Sequence, residues 1–288
     1  MNGLTKLGFG FIEVGSVTPL PQPGNEKPRL FRLFKDGGIV NRYGFNSIGH
    51  TDVLQNLSKV PHDKSIIVGL NLGKNKTSQD AIGDYIKGLE VFKDSPNIDY
   101  FVVNISSPNT PGLRKLQNKE TFECLLKIVL NYKSSNHIEK PLLIKISPDL
   151  STKEIEAIAE VILKFRDQVN GIIISNTTTS RPKTMKSDVK LTSQTGGLSG
   201  VPLRDLSTVK IRQIYRLTKG QLPIVGVGGV FSGQDAYEKI KAGASLIQIY
   251  TALAYQGPPV VRKINRELAQ LLKQDGYSNV KQAVGKEA

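Results

Sequence analysis

The stretch "PIVGVGGVFSGQDAYEKIKAGASLIQIYTAL", residues 223–253, decides the fold. A short apolar run, 223–227, leads into glycines at 226, 228 and 229. A helical stretch, 232–241, follows, and a second apolar run, 246–250, ends in Tyr-Thr-Ala. In a parallel barrel the loops after the seventh and eighth strands commonly bind phosphate, helped by a short helix N-terminus. Glycines there let backbone N–H groups approach an anion with no Cβ in the way. Tight turning is the plain alternative for a lone GxGG. Two such strands closing a strand–helix series favour the phosphate reading.

Upstream, the same alternation recurs. β-Branched runs at 11–17, 66–71, 100–105, 142–146 and 171–175 are nearly continuous in apolar residues, as in parallel strands buried on both faces. Helical periodicity fills the intervals at 77–92, opened by a Thr77 cap, and 151–165, where Ser151 precedes Glu154 at capping-box spacing. Stretches 204–217 and 258–273 read as helices too. Such a chain forms a doubly wound sheet or a (β/α)8 barrel. No GxGxxG follows the first run, and the closing stretch favours the barrel. Residues 19–46 break the rhythm with Pro19, Pro21, Pro23 and Pro28, then two short strands turning at Gly37-Gly38. They read as a flap across one end of the sheet. If 223–227 and 246–250 are strands seven and eight, counting back makes 11–17 strand two. The opening "MNGLTKLGFG" reads as a helix end closing at Gly8, so strand one has no counterpart. The expected architecture is one domain, 1–288: an α/β, TIM-type (β/α)8 barrel without its first strand, bearing an antiparallel flap over its C-terminal face.

Bulk properties exclude several classes. The formal charge of +14 comes from 39 Lys and Arg against 25 Asp and Glu, scattered as single residues. Dispersed charge reads as solvated surface, so no nucleic-acid partner is expected. The sole cysteine, Cys124, excludes an internal disulfide and a cysteine-built metal site, and is expected to be buried in its helix. His50, His62 and His137 lie far apart and are expected at the surface rather than as ligands; no metal is expected. No run reaches the ~18 apolar residues that span a bilayer. Neither a signal peptide nor a transit peptide is recognisable.

Chemistry concentrates in "DYFVVNISSPNTPGLR", residues 99–114. A buried run delivers Ser106, Ser107, Asn109 and Thr110 to one place, more hydroxyls and amides than a turn needs. In "LLIKIS", 142–147, Lys145 sits in an otherwise apolar strand, where an unpartnered cation would be costly.

Nine motifs occur in a fixed order: "FGFIEVGSVTPLPQPGN", "NRYGFNS", "NLGKNKT", "VVNISSPNTPGLR", "LIKISPDL", "SNTT", "TGGLSG", "GVGGV" and "IYTAL". Together, over about residues 3–285, they resemble the class 2 dihydroorotate dehydrogenases, FMN-dependent, quinone-reducing enzymes of pyrimidine synthesis. That resemblance implies a (β/α)8 barrel preceded by a membrane-associated helical region. Neither that region nor the first barrel strand has a counterpart here.

The resemblance also implies roles. Ser107 matches the base that takes the substrate's proton, which leaves through Thr110 and a water beside Phe45. Class 1 relatives carry a cysteine at the Ser107 position. Asn104, Asn109, Asn176, Thr177 and, from the flap, Asn41, Arg42, Tyr43, Gly44 and Phe45 match the substrate site. Amides and hydroxyls suit a ring edge of alternating N–H and C=O groups. Ser16, Asn71, Asn104, Lys145, Ser175, Ser199, Gly200, Gly228, Gly229, Tyr250 and Thr251 match the FMN site. Implied partners are dihydroorotate and orotate, a quinone acceptor, and a membrane reached through the N-terminal region. The implied home is the mitochondrial inner membrane, since "KAGASLIQIYTALAYQGPP" resembles the animal branch. Two alternatives stand: another FMN-dependent barrel acting on a different ring, and an inactive or weakly flavin-binding product of such a gene. For the chain as it stands, weak FMN binding and little turnover are expected.

Overall fold

A computed structural model describes residues 2–60 and 66–288. Seven parallel strands form a curled sheet in the order β1 (Phe11–Val17), β4 (Ile67–Leu72), β5 (Tyr100–Asn104), β6 (Leu142–Ile146), β7 (Gly171–Ile174), β9 (Ile224–Val227) and β10 (Leu246–Gln248). A second, antiparallel sheet joins β2 (Leu30–Leu33), β3 (Gly38–Asn41) and β8 (Gly197–Gly200). The seven expected runs are all strands, with ends displaced by at most two residues or so.

Period two places one set of side chains inside the curl. Registers Glu13↔Gly69↔Tyr100, Val102↔Leu143, Asn104↔Lys145↔Ile173↔Val225 and Gln248↔Val227 align these inward positions. Tyr100, Val102, Ile173 and Val225 fill the lower layer together with Phe11, Leu143 and Val227. Gly69 has no side chain because the Tyr100 ring lies there; an added Cβ would stand 2.0 Å from its Cζ. Above this apolar layer the inward residues turn polar: Glu13, Asn71, Asn104, Lys145 and Gln248. The outward set (Val68, Leu70, Phe101, Val103, Ile144, Ile172 and Ile224) packs under the helices as the main core.

The helices are α1 (Asn2–Thr5), α2 (His50–Ser58), α3 (Ala81–Phe92), α4 (Lys119–Ser135), α5 (Thr152–Lys164), α6 (Val189–Thr192), α7 (Arg204–Leu217), α8 (Gly233–Lys241), α9 (Thr251–Gln256) and α10 (Pro259–Gln274); α6 packs on β2 and α9 on β8, at the flap end. The Ser151–Glu154 capping box is present, and Gly8, after α1, has φ +95°. Helix α3 corrects its expectation. It starts four residues after Thr77 and is capped by Asp80, whose carboxylate accepts from the Gly83 N–H.

The flap turns through a 3-10 segment, Phe34–Asp36, with Gly37 left-handed at φ 57°, rather than at a two-residue Gly37-Gly38 turn. β8 adds a third strand to it, and Thr178, beyond β7, exchanges backbone hydrogen bonds with Leu198 of 3.1 and 2.7 Å. The flap therefore lies across the C-terminal ends of the barrel strands.

Among the described residues no strand pairs the free edges of β1 and β10. One side-chain bond spans them: Gln248 Nε2 donates to Glu13 Oε2 at 2.7 Å. A cavity of ≈ 890 Å³ runs along β1 and α2, lined by Val14, Ser16, Val17, Arg29, Val53 and Leu57 among others.

Two single-residue expectations fall differently. Cys124 is exposed, because the buried stripe of α4 runs through Phe122, Leu125, Leu126 and Val129 and leaves it outside. His50 is 3 % exposed, edge-on to Phe92 at 5.4 Å, and burial pushes its pKa down to about 4 despite the nearby Asp84 charge. His137 is exposed as expected, whereas His62 lies outside the described residues. Among the described residues no helix is long and apolar enough to cross a membrane, and no cluster of three His, Cys, Asp or Glu could hold a metal.

Candidate functional site

The polar layer inside the barrel is one connected network. Glu13 Oε1 accepts from Lys145 Nζ at 3.1 Å and from Asn71 Nδ2 at 2.7 Å. Lys145 is thus paired, a partner the sequence reading missed. Burial pushes the Glu13 carboxyl up, but the Lys145 charge and the bonds from Gln248, Asn71 and Lys145 outweigh it and hold it below its ordinary value. The signal was present: "FIEVGSV" carries an acid in a buried strand as "LLIKI" carries a base.

From there the network climbs to the mouth. Ser16 Oγ donates to Asn71 Oδ1, and Asn104 Nδ2 donates to both Ser16 Oγ and Asn71 Oδ1 at 3.1 Å. Asn104 Oδ1 accepts from Ser106 Oγ at 2.9 Å and from Asn176 Nδ2 at 3.4 Å. The Asn104 carbonyl is fixed from outside by the Tyr85 hydroxyl at 2.8 Å. Asn176 Oδ1 in turn accepts the Thr177 N–H at 2.7 Å.

The flap supplies the other wall. Asn109 Nδ2 donates to the Asn41 carbonyl at 3.1 Å, and Asn41 Nδ2 to the Gly197 carbonyl at 3.4 Å. Gly197 lies against Thr177, whose Oγ1 would be 1.9 Å from an added Cβ. Asn41, Asn104, Asn109 and Asn176 therefore converge at one mouth. Ser107, 6 % exposed, sits between them, its Oγ accepting the Asn109 N–H at 3.3 Å. Thr110 is 5 % exposed and its Oγ1 has no hydrogen-bond partner. An orphaned buried hydroxyl needs a partner such as water or ligand. The Phe45 ring, on a backbone of φ 54°, abuts Gly73, where an added Cβ would come 2.9 Å from Cδ2.

Other expected residues form neighbouring groups. Thr251 Oγ1 donates to Ser199 Oγ at 2.8 Å beside Gly200. Gly228 and Gly229 end β9 at φ 127° and 69°, where an added Cβ would meet Ser207 and Arg204. The Ser175 N–H donates to the Val227 carbonyl at 2.9 Å, which ties β7 to β9. Tyr250, just before α9, is 77 % exposed. Two side chains turn away. The Arg42 guanidinium covers the Phe31 ring at 4.7 Å and donates to Gln194 Oε1 at 2.9 Å, while Tyr43 lies under Arg29. Asn25 Nδ2 donates to the Arg42 and Asn109 carbonyls at 3.0 and 3.4 Å, which keeps that backbone beside the mouth.

This arrangement can hold a small polar ring against uncharged donors and acceptors, above a neutral ion pair, with the Ser107 hydroxyl beside it. The glycine ends of β8 and β9 and the start of α9 suit an anionic group.

Known proteins place the chain in a family and a fold. A family model described as dihydroorotate dehydrogenase matches residues 1–272. A mouse protein named mitochondrial dihydroorotate dehydrogenase (quinone) is 52% identical over 99% of this chain and 73% of its own length. A dihydroorotate dehydrogenase (quinone) of Azorhizobium caulinodans is 48% identical over 98% of this chain and 79% of its own. A crystal structure of ligand-free DHODH from Eimeria tenella superposes with a TM-score of 0.92 at 39% identity, over 99% of this chain and 84% of that one.

Proposed function

We propose, for a chain that belongs to the dihydroorotate dehydrogenase family, that it oxidises dihydroorotate to orotate in pyrimidine synthesis, using FMN and a quinone acceptor. The observation that carries this reading is the convergence of Asn41, Asn104, Asn109 and Asn176 around Ser107. It favours the pyrimidine substrate over the other FMN-barrel alternative, because four amides can match each N–H and C=O of such a ring.

The FMN fits the donor set. Gly200, Gly228, Gly229, Ser199, Tyr250 and Thr251 would hold its phosphate end. Ser16, Asn71, Asn104, Lys145 and Ser175 would hold its ring. When bound, FMN would supply a two-electron acceptor for the substrate's hydride, with quinone as the final acceptor.

The protein's own part is orientation and proton removal. Oxidation makes a ring C=C by loss of a proton from one carbon and a hydride from its neighbour. Ser107 Oγ takes the proton. An alcohol is a weak base and needs a relay. The partnerless Thr110 Oγ1, reached through a water beside Phe45, provides the exit. Asn41, Asn104, Asn109, Asn176 and Thr177 fix the ring, and the backbone of Arg42, Tyr43, Gly44 and Phe45 lines the flap side. Residues 1–288 act as a single FMN-binding unit with 19–46 as its flap. The relatives named as mitochondrial support a mitochondrial location, and the family resemblance points to the inner membrane within it.

Ser107→Ala tests the assignment. The variant should keep its FMN and reduce it with dihydroorotate about 10²–10⁴-fold more slowly, the range for a lost general base. Stopped-flow absorbance follows the bleaching, and a rate near wild type would place the base elsewhere.

A further inference from the structure

We infer that Arg114 and Asp149 are positioning residues that lock the Ser107 loop to the Thr177 loop. The inference rests on Ser107 acting as the base. Three loops leave the C-terminal ends of β5, β6 and β7, and one guanidinium joins them. Arg114 Nε donates to the Ser106 carbonyl at 3.0 Å, Nη2 to the Thr177 carbonyl at 3.0 Å, and Nη1 to Asp149 Oδ2 at 2.8 Å.

Asp149 completes the clamp. Its carboxylate accepts from Thr178 Oγ1, from the Thr179 N–H at 2.8 Å and from Thr179 Oγ1 at 3.0 Å. The Arg114 and Asp149 side chains are 26% and 16% exposed, so the pair is largely shielded from water. Arg181 then anchors the same segment outward, donating to the Thr179, Gln194 and Gly196 carbonyls at 3.1, 2.9 and 2.9 Å.

The consequence is geometric. Arg114 holds the peptide that carries Ser107, and through the Thr177 carbonyl it holds the residue next to Asn176. The base and part of the ring-binding wall thus share one rigid planar fork, which Lys could not reproduce. A misplacement of about 1 Å can cost ~10²-fold in rate. Neither side chain bonds Glu13, Asn71 or Lys145, so the clamp should govern proton removal without altering FMN retention.

The test compares Arg114→Ala, Arg114→Lys and Asp149→Asn with wild type and Ser107→Ala. Measured for each are FMN content, thermal midpoint, the rate of FMN reduction by dihydroorotate, and the rate of reoxidation by quinone. Arg114→Ala should reduce FMN about 10²-fold more slowly, with a substrate deuterium isotope effect at least as large as wild type and unchanged reoxidation. Added guanidinium ion should recover part of the rate. Arg114→Lys should recover little, and Asp149→Asn should fall between. Reduction within about threefold of wild type in Arg114→Ala overturns the inference. So does an equal loss in both half-reactions, which marks a merely structural role. Should Arg114→Ala fail to fold, Asp149→Asn decides by the same criteria. A fast Ser107→Ala sinks the base assignment instead; a slow Ser107→Ala beside a fast Arg114 variant sinks only the clamp.

Discussion

Glu13 and Lys145 form a charge pair in the polar layer inside the barrel, each offsetting the other's buried charge. Removing one partner of such a pair typically costs about 3–5 kcal/mol, because the remaining charge stays buried. Glu13→Gln should therefore lower stability by an amount of that order, while Glu13→Gln with Lys145→Met should recover much of it. Denaturant unfolding of the singles and the double measures the coupling, and additive losses would show the pair to be independent. The pH dependence has a definite sign. The folded Glu13 carboxyl lies below its ordinary value of 4.5, so its contribution is fully present above that value. It is lost as the pH falls through the folded value. On the proposed FMN placement, Lys145→Ala should also weaken FMN retention, because it would remove a cation from the ring's electron-accepting end; unchanged flavin content would count against that placement.

At the scale of elements, α7 and α8 meet over a lysine that is 0% exposed. Lys239 Nζ donates to Thr208 Oγ1 at 2.8 Å and to the Arg204 carbonyl at 3.0 Å, and burial pushes its pKa down from 10.5 to about 7. Between these values the unfolded chain binds a proton that the folded chain does not, so stability rises with pH. The burial cost is complete below the folded value and gone above the unfolded one. Wild type should gain up to about 1.4 kcal/mol per pH unit over that interval relative to Lys239→Met. Urea midpoints at pH 6 and 9 check this; parallel curves would contradict it. Elements with a strong pattern were legible in the sequence: seven apolar runs became seven strands, and Ser151–Glu154 marked a helix start. Those without one were not. β8 is Gly-Leu-Ser-Gly, lacks β-branched residues, and is a strand only because β3 pairs with it. Asp80 outcompeted Thr77 as a cap from within the polar stretch before α3. The asparagines and Ser107 could be placed by motif. Glu13 showed as an acid in a buried strand but without its partner, and Arg114 and Asp149 emerged only when distant loops were brought together.

Across the whole molecule, the parallel sheet curls through seven strands and leaves β1 and β10 without a strand partner among the described residues. Unpaired strand edges expose backbone donors and acceptors and favour association. The single Gln248–Glu13 bond joins the two ends inside the site, so loosening of the sheet would reach Lys145 directly. Purified residues 1–288 should accordingly hold less than one FMN per chain and tend to associate. The fraction that holds FMN should oxidise dihydroorotate. Anaerobic mixing of FMN-loaded protein with excess dihydroorotate, without any acceptor, measures it in one turnover. Orotate formed should equal FMN bound, with flavin absorbance lost in step. Bound FMN that stays oxidised, with no orotate formed, would contradict the account.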